Sequence, residues 1–331
     1  MQTKVVVHRM ASWLNCAPTE IATNSFDKFM AIAYRLIYLT IRILLGTILG
    51  KQRRNRSFFF QKLHKGNYVN PSFLAKIYIY RFLRIFGKNK TAVVVSIPKY
   101  DHKILCPLNE VDYISLSSRE EDFLKRFNPL EGDIVIDVGA NIGRYSIIGS
   151  KKVKDQGKVV SVEANPMVFD LLTQNMKLNK LNNVILLNNA VYSEKTKIKF
   201  CFSGNADLKN NQYGTIMTEI DNFPTKGFNK FIEVNANTID LILSENNITE
   251  KDVRWMKIDV EGAEFEVLKG AKKLLSNSMN LTILVEIHNL STGNNYYDEI
   301  TAFLKNHGFV VDYQEHHQSG EAHVIFSNKH L

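Results

Sequence analysis

The chain has 331 residues, of which 45% are hydrophobic and 23% are charged. This length suits about two domains with a sizeable core, so the composition excludes an intrinsically disordered protein and a small disulfide scaffold. The three cysteines are far apart in sequence and have no metal-ligand spacing, which predicts a reduced, cytoplasmic environment.

Positive charge is concentrated in the N-terminal third of the chain. Residues 1–105 contain ten Lys and eight Arg against three acids, a net charge of +15, so residues 106–331 must carry −6 of the chain's total of +9. Such asymmetry is typical of two regions with different partners. We therefore predict a basic, helical N-terminal region over 1–105 and a separate domain over 106–331.

Two apolar segments of the basic region carry regularly spaced cations. Residues 29–50 are long enough to span a bilayer, but Arg35 and Arg42 bring the free energy of insertion close to zero. Residues 73–87 repeat this composition, and four cations lie at 51–56. We predict amphipathic helices that lie peripherally on the anionic, cytoplasmic face of a membrane. Packed protein helices, a membrane span and a nucleic-acid-binding arm are the alternatives.

From Asp133 onward, short runs rich in Val and Ile alternate with helical patterns, which predicts βαβ units and a parallel sheet. The predicted strands are 133–138, 158–163, 184–189, 253–259, 281–287, 309–315 and 321–328. The predicted helices are 142–151, 166–179, 238–246, 261–276 and 296–307. Only a turn separates the last two strands, so they should form an antiparallel hairpin.

A glycine-containing turn follows the first of these strands, where DIVIDV runs into GANIGRYS. Gly139 and Gly143 would let the backbone approach a ligand closely, and Asp137 and Asn141 accompany them. Glu163 ends the next strand, where a carboxylate can accept hydrogen bonds from both hydroxyls of a ribose. The motif is not GxGxxG, which disfavours a pyrophosphate ligand.

Two later strands end in titratable residues. The run RWMKIDVEGAEFEVLKGA places Asp259 at a strand end and Glu261 at the start of the predicted helix. The run LTILVEIHN places Glu286 and His288 two residues apart, on one side of a strand. Ligands of open α/β folds bind at the carboxyl edge of the sheet, so these four residues are the candidate catalytic groups. Stabilisation of a helix N-terminus is the alternative role for Glu261.

Together these motifs closely resemble the FkbM family of S-adenosylmethionine-dependent methyltransferases. The resemblance covers about residues 130–290 and leaves 1–105 outside. It rests on VIDVGANIGRYS (135–146), VEANP (162–166), NNAV (188–191), NTIDLIL (237–243), MKIDVEGAEFEVLKGA (256–271) and LVEIHN (284–289). It implies a Rossmann-like class I methyltransferase fold, with a seven-stranded, mostly parallel sheet whose last strand is antiparallel, in the catalytic domain 106–331.

The resemblance also implies which residues contact the cofactor. They are Gly139, Asn141 and Gly143 for the amino-acid end of S-adenosylmethionine, Glu163 for its ribose, and Asn189 and Ala190 for its adenine. The family usually methylates a hydroxyl, which needs a proton acceptor. His288 and Asp259 are favoured for proton removal, and Glu261 for orienting the acceptor. A Mg²⁺ ion held by Asp259 and Glu286 is an open alternative.

The acceptor is less well defined by the sequence. The insertion 192–237 follows a strand of the ligand-binding edge and is predicted to form a lid that selects the substrate. Its polar loop suggests a hydroxyl-rich acceptor, such as a glycan or a lipid-linked sugar. An RNA methyltransferase that uses the basic N-terminal region is the alternative. Nucleic acid is disfavoured as a partner because the chain has IDVEG where amino-group methylation of bases typically uses an Asn/Asp-Pro-Pro-aromatic run.

Overall fold

The computed structural model describes residues 92–97, 100–107, 121–202, 214–217, 230–288, 296–317 and 320–328. The predicted membrane-binding segments at 29–50 and 73–87, and the cations at 51–56, lie outside these ranges. No helix within the described ranges is long and apolar enough to cross a membrane. Peripheral membrane binding therefore stays a prediction.

A seven-stranded sheet forms the centre of the fold. Its strands are β3 (Ile134–Val138), β4 (Lys158–Val162), β5 (Val184–Leu187), β10 (Val253–Ile258), β11 (Thr282–His288), β12 (Val310–His316) and β13 (Glu321–Ser327). They lie side by side in the order β12-β13-β11-β10-β3-β4-β5. Within this sheet β13 alone runs opposite to the other six strands. This arrangement confirms the predicted class I methyltransferase fold, including the terminal hairpin.

Helices flank the sheet, and their bounds follow local signals in the sequence. They are α1 (Glu121–Arg126), α2 (Arg144–Val153), α3 (Pro166–Leu178), α4 (Ile239–Glu245), α5 (Glu264–Lys269), α6 (Lys272–Asn277) and α7 (Tyr296–Asn306). At the start of α3 the side chain of Asn165 accepts a hydrogen bond from Met167 N, and Pro166 takes the first helical position. Residues of α4 to α7 share one apolar cluster with the sheet, whereas those of α1 and α2 belong to another.

One helix prediction was wrong. The predicted helix 261–276 begins only at Glu264, because Glu261 and Gly262 have left-handed backbone angles, φ 56° and 107°. It is also divided into α5 and α6 at Gly270, where the chain passes so close to Tyr192 that a Cβ would lie 2.2 Å from the carbonyl oxygen of Tyr192. The periodicity of the sequence contains no sign of this long-range contact.

The insertion, together with the two residues before it, forms a second, smaller sheet. Its strands are β6 (Ala190–Val191), β7 (Thr196–Phe202), β8 (Gly214–Met217) and β9 (Lys230–Asn237), in the order β6-β9-β7-β8. β6 pairs in parallel with β9 directly after the central strand β5, so this sheet lies next to the ligand-binding edge. Its use as a substrate lid stays a prediction.

An unpredicted hairpin precedes the sheet, with β1 at Ala92–Ile97 and β2 at His102–Pro107. Two asparagines, one in α3 and one directly after it, bind the backbone of β2. Asn175 pairs with the N–H and C=O of Leu105, and Asn179 with those of Lys103, at 2.6–3.0 Å. The predicted domain boundary at residue 105 therefore lies within a strand that packs on the catalytic domain.

Candidate active site

A cleft opens where the carboxyl ends of the central parallel strands meet. It encloses about 570 Å³ of empty space, counting its open mouth. Seven of the predicted site residues line this cleft. They are Gly139, Asn141, Glu163, Asn189, Ala190, Asp259 and Glu261. Phe200 of the insertion also lines it.

The turn after β3 passes directly over the end of β10. Gly139 has φ 70°, and a Cβ on it would lie 1.8 Å from the carbonyl oxygen of Asp259, so only glycine fits there. Gly143, at φ 94°, begins α2, and a Cβ on it would lie 2.6 Å from the side chains of both Leu172 and Met176. A side chain at Gly143 would therefore collide with α3. Gly143 is not among the residues that line the cleft, and its contact with the cofactor stays a prediction.

Glu163 lies just after β4 with its carboxylate held by backbone donors. Asn141 N donates to Oε2 at 2.9 Å, and Asn165 N donates to Oε1 at 2.8 Å. Burial raises the pKa of Glu163 to about 7, against the opposing effect of these two hydrogen bonds. Each oxygen keeps a second lone pair, so the carboxylate can still accept two ligand hydroxyls.

Asn189 and Ala190 line the cleft on the side of β5 and β6, as the resemblance implies for residues near an adenine. The preceding residue, Asn188, supports this edge because its side-chain amide donates to Glu163 O at 2.8 Å.

Asp137 occupies a different position from the other predicted cofactor residues. It is fully buried under the turn and is not among the residues lining the cleft. Its Oδ2 accepts a hydrogen bond from Ser146 Oγ at 2.5 Å, and burial raises its pKa. Direct contact of Asp137 with the cofactor stays a prediction.

Lys257 is a site residue that the sequence analysis missed. Its buried ammonium group donates to Gly139 O at 2.8 Å, and lies 3.2 Å from Asp259 Oδ2 and 3.7 Å from Asp137 Oδ1. Burial alone would raise the pKa of Asp259, but the charges of Lys257 and His288 outweigh it and lower this pKa. A lysine within the apolar strand WMKI was the available signal, because a buried ammonium group needs acidic partners.

His288 is held by a buried carboxylate that was also missed. His288 Nδ1 lies 2.8 Å from Glu264 Oε1, and Glu264 is fully buried. Burial by itself would lower the pKa of His288, but the hydrogen bond to Glu264 and the nearby carboxylates raise it to about 11. His288 is therefore charged at neutral pH, which disfavours the predicted role as proton acceptor.

Carboxylate oxygens of Glu261 and Glu286 both lie near Nε2, the other ring nitrogen of His288. Glu261 Oε2 is 3.5 Å and Glu286 Oε1 is 3.7 Å from His288 Nε2. Burial is the largest effect on both acids: it raises the pKa of Glu261 to about 7, and it also raises the pKa of Glu286. Glu286 Oε2 additionally lies 3.2 Å from His323 Nε2, a partner that the sequence analysis missed.

Among the described residues, Asp259, Glu261 and His288 have ligand atoms within 4.8 Å of one another. Glu286 is not part of this group, although it was predicted to share a Mg²⁺ ion with Asp259. The Lys257 ammonium also occupies one oxygen of Asp259. A Mg²⁺ site made by Asp259 and Glu286 therefore gains no support from this geometry and stays a prediction.

Comparison with known proteins gives a family match. A model described as "Methyltransferase FkbM domain" matches residues 137–311, which is more than half of the chain. The hexuronic acid methyltransferase AglP of Haloferax volcanii is 32% identical over 161 residues, 48% of this chain and 57% of AglP. The methyltransferase sdnD of Sordaria araneosa is 26% identical over 197 residues, 50% of this chain and 74% of sdnD.

Other matches cover different extents of the chain. A tRNA(Phe) (4-demethylwyosine(37)-C(7)) aminocarboxypropyltransferase from Methanocaldococcus jannaschii is 44% identical over only 55 residues, 17% of this chain and 22% of that protein. The crystal structure of M. jannaschii TYW2 in complex with AdoMet aligns with a TM-score of 0.41 at 17% identity, covering 73% of this chain and 86% of that structure.

Proposed function

The chain belongs to the FkbM methyltransferase family, and we propose that it transfers a methyl group from S-adenosylmethionine to a hydroxyl of a glycan or lipid-linked sugar. One observation carries this proposal: five of the residues expected to bind the cofactor line one cleft together with two of the candidate catalytic acids, Asp259 and Glu261. The chain matches only 57% of the length of AglP, so the acceptor of this chain is part of the proposal.

The residues of the cleft fit S-adenosylmethionine. The backbone of Gly139 lines the cleft, and Asn141 has φ 51°, which turns the chain toward Glu163. Glu163 has acceptor capacity for both ribose hydroxyls. Asn189 and Ala190 would hold the adenine. The bound cofactor would supply a methyl group on a sulfonium, which is already activated for transfer.

Glu261 is the proton acceptor in this proposal. Its pKa of about 7 lies near neutral pH, where a general base works best, and its carboxylate is the most exposed of the candidate acids. Asp259 has a lowered pKa and is a weaker base, and His288 is already protonated. The proposal therefore reverses the roles predicted from the sequence, because Asp259 and His288 become the orienting groups.

His288 and Glu286 would orient the acceptor from the neighbouring strand. His288 Nε2 lies within 3.7 Å of a carboxylate oxygen of both Glu261 and Glu286. The positive charge of His288 therefore stabilises the ionised form of Glu261 once the proton taken from the acceptor has left the site. A site with several carboxylates and a charged imidazole suits an acceptor with many hydroxyls, which can donate to the acids. The similarity to AglP, a hexuronic acid methyltransferase, supports an acceptor of the sugar class.

Two further parts of the proposal and one alternative function each have a test. Mg²⁺ dependence is tested by adding a chelator. Action at an anionic membrane surface depends on residues 28–86. RNA methylation is the second candidate function, favoured by the charge of +15 on residues 1–105 and by the short match to an enzyme named for tRNA.

The test is to incubate the full chain with methyl-labelled S-adenosylmethionine and separate fractions of glycans, lipid-linked sugars and RNA. We expect label in a sugar fraction that resists mild base, as a methyl ether does. The variant E261Q should keep cofactor affinity and lose about 10²–10⁴-fold in rate. E250Q, in the short 3₁₀ helix at Glu250–Asp252, is the matched control. Label in RNA alone would overturn the proposal, as would an unchanged rate in E261Q.

A further inference from the structure

A second group of metal-ligating side chains lies on the terminal hairpin, at residues that the proposed methyl transfer does not use. The ligand atoms of Glu315, His317 and His323 lie within 4.8 Å of one another. We propose that these three side chains bind a divalent transition-metal ion, with Zn²⁺ as the probe, that ties the end of β12 to β13. This proposal is independent of the proposed methyl transfer.

The hairpin register brings the three side chains to one face. Glu315 lies directly opposite His323 on the antiparallel strand, and His317 follows Glu315 by two residues. The alternation of burial along β12 agrees, because Glu315 and His317 are half-buried whereas Gln314 and His316 are exposed. Two adjacent antiparallel strands are a rigid support for ligands, which limits the movement that binding requires.

The spacing of the two imidazole nitrogens suits a tetrahedral ion. Nitrogens at about 2.0–2.1 Å from Zn²⁺ at the tetrahedral angle would be about 3.3–3.4 Å apart. His317 Nε2 and His323 Nδ1 are 3.2 Å apart. This distance is therefore within a few tenths of an ångström of the value that a shared ion requires.

Two of the three ligands already have the outer partners that metal ligands usually have. The other ring nitrogen of His323, Nε2, lies 3.2 Å from Glu286 Oε2. A metal-bound histidine commonly donates its second N–H to a carboxylate in this way, which fixes the tautomer. Glu315 Oε2 accepts a hydrogen bond from Tyr313 Oη at 3.0 Å, which leaves Oε1 for the ion.

The ring of His323 is also fixed in orientation. It is buried and stacks on Phe123 of α1, with ring centroids 4.8 Å apart and planes 13° apart. Two nitrogens and one carboxylate oxygen favour Zn²⁺ and its first-row neighbours over Mg²⁺, which prefers oxygen ligands. Three protein ligands leave one tetrahedral position open.

Such an ion would bind within reach of the candidate active site. With Nδ1 on the metal, His323 must carry its proton on Nε2, which donates to Glu286. The other oxygen of Glu286 lies 3.7 Å from His288. Metal binding would thus fix one carboxylate oxygen of Glu286 and direct the other toward the cleft.

The test is calorimetric titration of Zn²⁺ into the chelator-treated, full-length protein. We expect one equivalent to bind and the melting temperature to rise. H317A should weaken binding by at least about 100-fold, and E286Q by about 10- to 100-fold, the usual effect of losing an outer partner. H316A is the matched control, because His316 is on the exposed face of the same strand, and it should bind Zn²⁺ as the parent does.

E261Q separates this site from the other potential metal group, at Asp259, Glu261 and His288. It should leave Zn²⁺ binding unchanged. The proposal is wrong if the parent binds no Zn²⁺, if H317A and H316A bind equally, or if E261Q removes the binding. If the parent binds no Zn²⁺, the 3.2 Å contact between His317 Nε2 and His323 Nδ1 is a hydrogen bond between two imidazoles. Melting of the metal-free variants must match that of the metal-free parent, so that unfolding does not imitate the loss of a ligand.

Discussion

His288 Nδ1 lies 2.8 Å from Oε1 of the fully buried Glu264, and this contact keeps the imidazole of His288 charged. The same Glu264 oxygen accepts a hydrogen bond from Gly262 N at 2.9 Å. Glu264 therefore connects the left-handed turn that carries Glu261 to the strand that carries His288. Its position sets both the charge of the histidine and the conformation of the proposed base.

The first prediction concerns this pair. E264Q removes the negative charge while keeping the size of the side chain, so the pKa of His288 should fall from about 11. Because His288 then loses its charge at a lower pH, the rate of methyl transfer should begin to fall at a lower pH than in the parent protein. The loss should be smaller than the loss of about 10²–10⁴-fold for a missing proton acceptor. NMR titration of the labelled imidazole measures the shift directly.

The matched control for this prediction is E266Q, on the same helix. Glu266 pairs with Lys269 at 2.7 Å, one turn along α5. The variant E266Q should leave the titration of His288 unchanged. If His288 titrates equally in E264Q and in the parent protein, Glu264 does not hold its charge.

The second prediction is a pH dependence of cofactor binding. The ionised form of Glu163 accepts the ribose hydroxyls, and its pKa in the free protein is about 7. Above this pH the carboxylate is ready to bind and affinity should be constant. Below it a proton must leave on binding, so affinity should fall by up to about tenfold per pH unit. Calorimetry in buffers of different ionisation enthalpy should detect the released proton.

E163Q tests the origin of that dependence. Charged hydrogen bonds of this kind contribute about 1.5–3 kcal/mol, so affinity should drop by about 10- to 150-fold at pH 8 and no longer vary with pH. The glutamine can accept from only one of Asn141 N and Asn165 N, so some loss of stability is also expected. Persistence of the parental pH dependence in a folded E163Q would remove Glu163 from the ribose site.

The sequence predicted which residues lie at the ends of strands better than it predicted which residues contact each other across neighbouring strands. Glu163 and Asp259 were predicted because parallel strands bring their carboxyl ends to one edge. Lys257 was missed because its partners Asp137 and Gly139 are about 120 positions earlier in the chain and become neighbours only through the pairing of β10 with β3.

The sequence contains a signal for the burial of Glu264 that the sequence analysis did not use. It lies three and four residues before Val267 and Leu268, and seven before Ala271, so it occupies a core-facing position of the helical pattern. An acid at such a position needs a buried partner. The identity of that partner depends on how α5 packs on β11, which local periodicity does not specify.

The third prediction concerns the turn at Gly139. G139A should destabilise the protein by more than G132A, although both glycines have positive φ, 70° and 86°. Alanine in a left-handed conformation costs about 1–2 kcal/mol at either position. Only at Gly139 does the added methyl group meet a backbone oxygen, that of Asp259 at 1.8 Å, whereas nothing lies within 4 Å at Gly132. Urea unfolding of both variants measures the difference, and equal stability would mean that the turn can move away from β10.

The last prediction is that residues 28–86 attach the protein peripherally to an anionic membrane. Two apolar segments with basic residues combine a hydrophobic and an electrostatic signal, and four further cations lie at 51–56. Each such cation contributes about 1 kcal/mol near an anionic surface, so replacing the four by glutamine should weaken binding by about fivefold per charge.

Flotation of the full chain with phosphatidylserine-containing vesicles at two salt concentrations distinguishes the alternatives. The screening length falls from about 10 Å at 0.1 M to about 3 Å at 1 M, so a peripheral protein should be released by salt, whereas a membrane span should be retained. Vesicles of phosphatidylcholine alone provide the control for charge and should bind more weakly at 0.1 M. Absence of binding to anionic vesicles at low salt would show that the apolar segments are packed protein. The +15 charge of residues 1–105 would then need another anionic partner, and RNA binding by the same full chain would be the next measurement.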